Sequence, residues 1–475
     1  MKSNLIIGRK AEIEKLDAAL REEEAQLIVV SGRRRIGKTF LINEYFGDSF
    51  AFRIAGANGK PKSFQLGVFY EEYLARSGRP RAKRPNAWSE AFSLLRGYID
   101  SLPGESKKVV FFDEMPWLDT KKSDFLACFE SFWNGYGNAK HNLVFICCGS
   151  SAAWMSDKFD KNKGGLFGRK TLRLKLDAWN LGDCERLLER KGARWSRYDV
   201  AQAYMVFGGV PYYFQKIDAS LTLNQNMDRL FFDKGAELRD EFDLVLATLF
   251  GDDPKSKAIL AALSDSKKGL TMDEIAGRAQ MEKGGSLSKK LKRLVLSKFV
   301  EEAPYFNGRR ATVYRLCDNF TRFHFSFIQG RREQSGFWSA SSRSPSVAAW
   351  QGIAYESVCF AHIPQIKRAL GIFGVLTEEY EFNVQGGDDA PGAQIDMVME
   401  RADGVADIIE IKFCKEEFVL DKRGFLNFSN KISVYERYQR RKKTIQTCFV
   451  TTFGLREGQY TRMISQSIDL DDLFQ

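Results

Sequence analysis

Histidine is nearly absent from this sequence, with three in 475 residues. The eight cysteines (Cys128, Cys147, Cys148, Cys184, Cys317, Cys359, Cys414 and Cys448) include no C-x-x-C pair. Zinc centres draw on clustered imidazoles and thiolates, so these counts leave too few ligands for one. The cysteines read instead as buried thiols of a reducing compartment. No apolar run approaches the roughly 20 residues of a membrane-spanning helix. The opening "MKSNLIIGRKAEIEKL" lacks a signal-peptide core, because acidic residues follow its short apolar stretch within a turn or two. These absences make a cytoplasmic protein with no membrane partner the expectation.

What is present is apolar bulk and positive charge. A hydrophobic content of 44% with 38 phenylalanines is ample for packed cores, and the length suggests about two to four domains. The net charge of +11 suits an anionic partner, of which nucleic acid is the obvious one.

The first chemical signal is "GRRRIGKT" (Gly32, Arg33, Arg34, Arg35, Ile36, Gly37, Lys38, Thr39), which follows the apolar run "QLIVVS" and precedes the helical "FLI" that begins at Phe40. It fits G-x-x-x-x-G-K-[ST] in the context the chemistry needs. A strand that turns through glycines into a helix aims several backbone N–H groups and the positive helix end at one point, which favours phosphate. Lys38 would then reach the β- and γ-phosphates of ATP, and the Thr39 hydroxyl would hold Mg²⁺.

Downstream, "KKVVFFDEMPWLD" reads as a buried strand ending in Asp113 and Glu114. A carboxylate there can hold Mg²⁺ through water, and its neighbour can orient and deprotonate the attacking water. Asp113 is accordingly assigned to the metal and Glu114 to the general base. "FAFRIAGA" reads as a further strand. "FQLGVFYEEYL", "AWSEAFSLLRGYI" and "SDFLACFESFWNGY" are helical, and "LVFICCGSS" is a buried strand that ends in Gly149, Ser150 and Ser151. Alternating strands and helices predict an α/β fold with a doubly wound parallel sheet and its site at the strand C-termini. Ser150 and Ser151 are both candidates for contact with the γ-phosphate or the attacking water. Each would serve equally as the cap of the next helix.

With these residues in place the chain resembles the archaeal-type ATPases, AAA+/STAND-like P-loop proteins of archaea and bacteria. The matching stretches are "IIGRKAEIEKL" at 6–16, "GRRRIGKT", "FFDEMPWL", "CCGSS", "GLFGRKTLRLKLDAW" at 165–179 and "FGGVPYYF" at 207–214. The resemblance implies that Gly8 and Arg9 lie near the adenine. It also implies that Arg169 senses phosphate within or across subunits, and that Gly209 and Pro211 form the G-x-P of a small helical lid. A homo-oligomer is one expected form, and the sequence leaves the oligomeric state open. The expected organisation is a P-loop ATPase core over 1–180, a helical lid over 181–253, a winged helix-turn-helix with linker over 254–345 and a last α/β domain over 346–475.

The third segment is read from its own pattern. "PKSKAILAALSDSKKG" and "TMDEIAGRAQ", the latter capped by Thr271 with Glu274 three residues on, are helices. "SLSKKLKRLVLSKFVEEA" sets Leu287, Leu291, Leu294 and Val295 on one face and Lys289, Lys290, Lys292 and Arg293 largely on the other. Two strand-like runs around Asn307-Gly308 then make a hairpin. Three helices and a hairpin predict a winged helix whose third helix enters a major groove, with Arg309 and Arg310 reaching phosphates. The same charged face would also suit plain solvation. The aromatics of "CDNFTRFHFSFIQGRR" read as a packing face, and "GRREQSGFWSASSRSPS" as a linker or ordered bridge.

In the last segment "VAAWQGIAYESVCFAHI" is a helix bearing Glu356. "AQIDMVME" and "ADIIEIKF" are strands that place Asp396, Glu410 and Lys412 side by side, with Glu410 and Lys412 on one face by parity. This order resembles the PD-(D/E)XK core of restriction-endonuclease-like domains, although Ile395 stands where the motif name has proline. By that resemblance Asp396, Glu410 and Glu356 would hold Mg²⁺ or Mn²⁺, and Lys412 would orient water or stabilise charge at phosphorus. An Asp–Lys or Glu–Lys pair on a half-buried hairpin is equally an ordinary structural feature. Two functions are therefore expected: an ATP-hydrolysing protein that acts on DNA as an ATP-coupled, metal-dependent nuclease, or a nucleotide-operated switch whose last domain binds or regulates without cutting.

Overall fold

The computed structural model describes residues 5–79, 82–161, 165–166, 168–251, 253–387, 391–439 and 441–475. The chain divides into two compact units, Met1–Ala178 and Trp179–Gln475. None of the helices in the described residues is long and apolar enough to cross a membrane.

In the first unit the apolar runs become strands β1 (Gln26–Gly32), β2 (Phe50–Ala55), β3 (Lys108–Asp113), β4 (Leu143–Gly149) and β5 (Leu172–Leu176). They form one sheet in the order β2-β3-β4-β1-β5, with every pairing parallel. Strands β1, β3 and β4 are buried along their whole length, as the lack of polar alternation in their sequences requires. Successive residues of β1 feed opposite sides. Leu27 and Val29 join a core with Phe52, Phe112 and Phe145, whereas Ile28 and Val30 join one with Leu41, Ile42 and Ile146. Helices Lys62–Ser77, Trp88–Ser101 and Phe125–Gly135 bury their apolar faces in the first core, and Lys10–Arg21 and Lys38–Phe46 in the second. Much of the phenylalanine is spent here: Phe92 stacks on Phe112 and Phe132, and Phe112 and Phe129 pack on Phe145. Each fully buried ring contributes about 2–3 kcal/mol, so the strand ends that carry the polar residues are held by a stiff support.

The second unit opens with helices that include Leu181–Arg190, Arg197–Phe207 and Pro211–Gln215. Helices Pro254–Ser264, Met272–Arg278 and Gly285–Leu296 follow, then the hairpin strands β6 (Val300–Phe306) and β7 (Arg310–Leu316). Thr271 and Glu274 form a reciprocal capping box. Strands β8 (Thr377–Val384), β9 (Ala393–Arg401), β10 (Val405–Lys412), β11 (Thr444–Thr451) and β12 (Gln466–Ile468) complete a seven-stranded mixed sheet in the order β12-β11-β10-β9-β8-β6-β7.

The hairpin is thus the edge of the same sheet that carries Asp396 and Glu410, joined through Tyr305–Glu381 and Phe306–Phe382 pairing. Arg315 on β7 secures that junction. Its side chain, 11% exposed, forms ion pairs with Glu301 at 2.7 Å and with Glu381, and its guanidinium lies 3.9 Å from the centre of the Phe360 ring. The expected free wing is altered in a second way: Arg310 is tied to Glu378 and Glu400, so its charge is already neutralised by protein. Of the basic face on Gly285–Leu296, Lys290 pairs with Asp253 and Arg293 donates to the Leu249 carbonyl, whereas Lys289 and Lys292 stand exposed.

The aromatics at 320–328 pack inward. Phe320 stacks on Tyr213, and Phe323 and Phe327 meet Trp338 and Trp350. The segment after them is ordered, with helix Phe337–Ser341 anchored by Trp338 N–H donating to Asp228 at 2.6 Å.

Arg315→Ala should leave Glu381 buried beside an unfilled gap. Its unfolding free energy in urea is expected to fall by about 3 kcal/mol, and a loss within error of zero would show that the ion pairs do not hold the hairpin.

Candidate functional site

The residues of the expected phosphate loop all gather at the C-terminal edge of the first sheet. Gly32 leaves β1 at φ +153°, and a Cβ there would stand 2.5 Å from the Leu176 carbonyl oxygen, so the position requires glycine. Arg33 and Arg34 follow, the latter with its guanidinium 5.9 Å from the centre of the Trp117 ring, and Arg35 takes the left-handed conformation at φ +67°. Ile36 is buried in the core below and pins the loop. Gly37, at φ +89°, caps the helix Lys38–Phe46, and Thr39 and Phe40 lie exposed in its first turn. A left-handed residue before a helix N-terminus turns consecutive N–H groups toward one side, the arrangement that binds oxyanions.

Lys38 is 4% exposed. Its Nζ donates to the carbonyls of Gly32 at 3.1 Å and Arg33 at 2.9 Å, and to Ser150 Oγ at 3.0 Å. Burial pushes its pKa below the ordinary lysine value, and the carboxylates of Glu114 and Asp113 oppose that shift. Thr39 Oγ1 donates to Asp113 Oδ2 at 2.7 Å, and the Glu114 N–H donates to Asp113 Oδ1 at 2.9 Å. Thr39 and Asp113 bring hydroxyl and carboxylate oxygens together, a donor set that suits Mg²⁺, which retains several waters and takes further oxygens from phosphate.

Glu114 sits at φ +43° in the turn after β3. Its two oxygens accept from Ser150: Oε2 from the backbone N–H at 3.0 Å, and Oε1 from the side-chain hydroxyl in a close contact. The two serines separate here. Ser150 is buried between Lys38 and Glu114, whereas Ser151 accepts from Trp154 N–H at 3.5 Å and caps the helix Ala152–Ser156. Gly56, at the end of β2, had no sequence signal. A Cβ there would stand 2.5 Å from the Glu114 carbonyl oxygen, so only glycine lets β2 and the Glu114 turn approach this closely.

Arg9, expected near the adenine, is buried at 7% exposure, and its Nη2 donates to the Ile36 carbonyl at 3.1 Å. It braces the phosphate loop from the N-terminal segment, next to Gly8 at φ +65°. Arg169 lies exposed in the turn before β5. Gly209 and Pro211 belong to the second unit. Gly209 at φ +66° accepts from Trp179 N–H at 2.9 Å, and Pro211 opens a short helix.

A second cluster lies on β9 and β10. Lys412 Nζ is 2.9 Å from Glu410 Oε2 and 3.4 Å from Asp396 Oδ2, which also accepts from Ile411 N–H at 2.9 Å. Lys431, on the helix Lys422–Tyr438, closes on the other Glu410 oxygen. This second lysine lies 21 positions from Glu410 in sequence, and nothing in the local pattern marked it. Burial raises the Glu356 carboxyl to about 8, helped by Asp396 and Glu381. Among the described residues no three His, Cys, Asp or Glu side chains gather into a metal-holding group. With both Glu410 oxygens and one Asp396 oxygen turned to ammonium groups, these residues as arranged fit an ion-paired cluster better than a divalent metal. The cleft beside it, about 350 Å³, is bordered by Lys412, Lys431, Arg423 and Asn427.

Removing the buried brace by Arg9→Ala should weaken ATP binding about tenfold, the size of one deleted charge-assisted hydrogen bond. Titration calorimetry with ATP and Mg²⁺ measures this, and unchanged affinity would confine Arg9 to packing.

No family model matches the chain. The uncharacterized protein MJECL04 of Methanocaldococcus jannaschii is 25% identical over 329 residues, which span 68% of this chain and 69% of that protein. The uncharacterized ATP-binding protein MJ0423 of the same organism is 44% identical over 41 residues, 9% of this chain and 70% of that protein. Among solved structures, the Walker-type ATPase PABY2304 of Pyrococcus abyssi aligns with a TM-score of 0.47 and 15% identity, covering 67% of this chain and 96% of that one. A glycine-rich loop thus leaves the fourth strand of a five-stranded parallel sheet, with acidic and hydroxyl residues at the ends of the strands beside it.

Proposed function

We propose that the protein binds and hydrolyses ATP with Mg²⁺ as an ATPase of the archaeal type and acts on DNA. The observation that carries the first part is the convergence of Lys38, Thr39, Asp113, Glu114 and Ser150 from three separate strand ends onto one spot. The similarity to an ATP-binding protein supports it. Lys38 and the loop N–H groups bind the β- and γ-phosphates, and Thr39 and Asp113 hold the metal. When bound, Mg²⁺ neutralises charge that builds on the phosphate oxygens. Glu114 orients the attacking water and accepts its proton. Ser150, bonded to both Lys38 and Glu114, couples the phosphate-binding cation to the base, so the carboxylate must loosen from the serine to take up water. Arg169 remains the candidate for a phosphate sensor.

Action on DNA is supported by the net charge of +11, by the winged-helix order of three helices and a hairpin, and by the exposed Lys289 and Lys292. For the last domain the side-by-side placement of Asp396, Glu410 and Lys412 supports the nuclease reading. The paired lysines on Glu410 favour the other one, in which ATP operates a switch and this domain binds rather than cuts.

Lys38→Ala should abolish ATP binding or turnover, and unchanged turnover would remove the loop from the mechanism. Glu114→Gln should still bind ATP while turnover drops by at least a hundredfold, the usual range for losing a general base. Normal hydrolysis in that variant would put the base elsewhere. For the last domain, wild type and Asp396→Ala are to be incubated with plasmid, linear and single-stranded DNA in Mg²⁺ or Mn²⁺, with and without ATP. Metal-dependent cleavage that disappears in the variant establishes the nuclease, whereas intact DNA under every condition, with ATP still bound, makes the switch the better reading.

A further inference from the structure

The tip of the β6–β7 hairpin, the end of β9 and the end of the helix Lys422–Tyr438 enclose a pocket of about 570 Å³. This volume lies within the range of small-ligand sites. The pocket is distinct from the phosphate loop, from the helix Gly285–Leu296 and from the Asp396–Glu410 cluster. Six cationic side chains line it, against the single carboxylate of Glu400.

That carboxylate is spent on internal bonds. It accepts from Tyr380 at 2.6 Å, Tyr435 at 3.1 Å, Lys443 at 2.7 Å and Arg310 at 3.1 Å. Arg401 is paired with Asp403. Arg309, Arg441 and Lys442 remain exposed, and none has a carboxylate partner among the described residues. Three uncompensated cations around a concave site create a local potential that concentrates anions.

The wall of the pocket adds a second requirement. Phe306 and Phe382 stack with centroids 5.1 Å apart and planes at 6°. Tyr438 stands edge-on to both, at 5.6 Å and 6.1 Å, and is 41% exposed. An anion alone uses the rim and leaves this ring in water. A ligand that uses both carries a flat aromatic ring and a phosphate.

We propose that this pocket binds a nucleoside phosphate, with the base stacked on Tyr438 and the phosphate on Arg309, Arg441 and Lys442. A base in a duplex is stacked on its neighbours and cannot reach the ring, so the source is either a single-stranded nucleic acid or a free nucleotide. Recognition by stacking and charge is tolerant of base identity.

The test uses the full chain with a fluorescently labelled oligothymidylate, followed by anisotropy across a salt series. Tyr438→Ala should weaken binding at least fivefold, the lower end for one stacked base, while duplex binding and ATP turnover stay unchanged and Tyr438→Phe retains affinity. Arg441→Ala combined with Lys442→Ala should flatten the dependence of log affinity on log salt by up to about 0.7, the value for the one phosphate these cations share. Competition by thymidine monophosphate as effective as that by unlabelled strand identifies a free nucleotide as the source; competition by the strand alone identifies nucleic acid. Unchanged affinity in Tyr438→Ala, or displacement by inorganic phosphate as readily as by the nucleotide, overturns the proposal.

Discussion

A lysine ammonium held almost out of water is the constraint on which the first unit depends. Burial disfavours the charge on Lys38, and the fold offsets that cost with two loop carbonyls, a serine hydroxyl and two nearby carboxylates. Each partner comes from a different place in the chain. The carbonyls belong to the loop, the serine ends β4 and the carboxylates end β3. They converge because β3, β4 and β1 are parallel neighbours, so their C-terminal ends share one edge of the sheet. The double core of phenylalanine and aliphatic side chains keeps that edge from yielding.

The second unit solves a similar problem with the signs reversed. Glu410 and Asp396 are buried carboxylates, and Lys412 and Lys431 are brought from a strand and a helix to neutralise them. The sheet that carries them extends through β8 into the hairpin β6–β7, where Arg315 and Arg310 are likewise consumed by glutamates. Some of the chain's cations are therefore spent on pairing within the protein, although each pair also spends a carboxylate and leaves the net charge of +11 unchanged. Cations that stay uncompensated include Lys289 and Lys292 on Gly285–Leu296, and Arg309, Arg441 and Lys442 at the pocket by the hairpin tip. Net charge alone does not separate these two uses.

Legibility in the sequence followed the range of the interactions. The strand read at Leu27 to Val30 extends to Gln26–Gly32, and that read at Val109 to Phe112 extends to Lys108–Asp113. The capping box at Thr271 is present as its spacing implied. Such features depend on residues within one turn or one strand. Arg9 was not legible as a brace, since its partner Ile36 is 27 positions away. Nor was the division of labour between Ser150 and Ser151, which turns on which hydroxyl faces Lys38 once β4 lies beside β1. Lys431 and Gly56 were missed for the same reason: their partners are set by strand order and helix packing.

By itself the sequence determined the glycine-rich turn after β1, the acidic strand end and the alternation of strands and helices. Short-range sterics and apolar periodicity suffice for these, because a glycine turn between a buried strand and a helix has few conformations. Only the tertiary structure decided which charges are available. Lys38, Arg310 and Glu410 are spent on partners remote in sequence, and Arg309, Arg441 and Lys442 are not. Charge pairing acts through space over a few ångströms, and only the folded chain sets those distances.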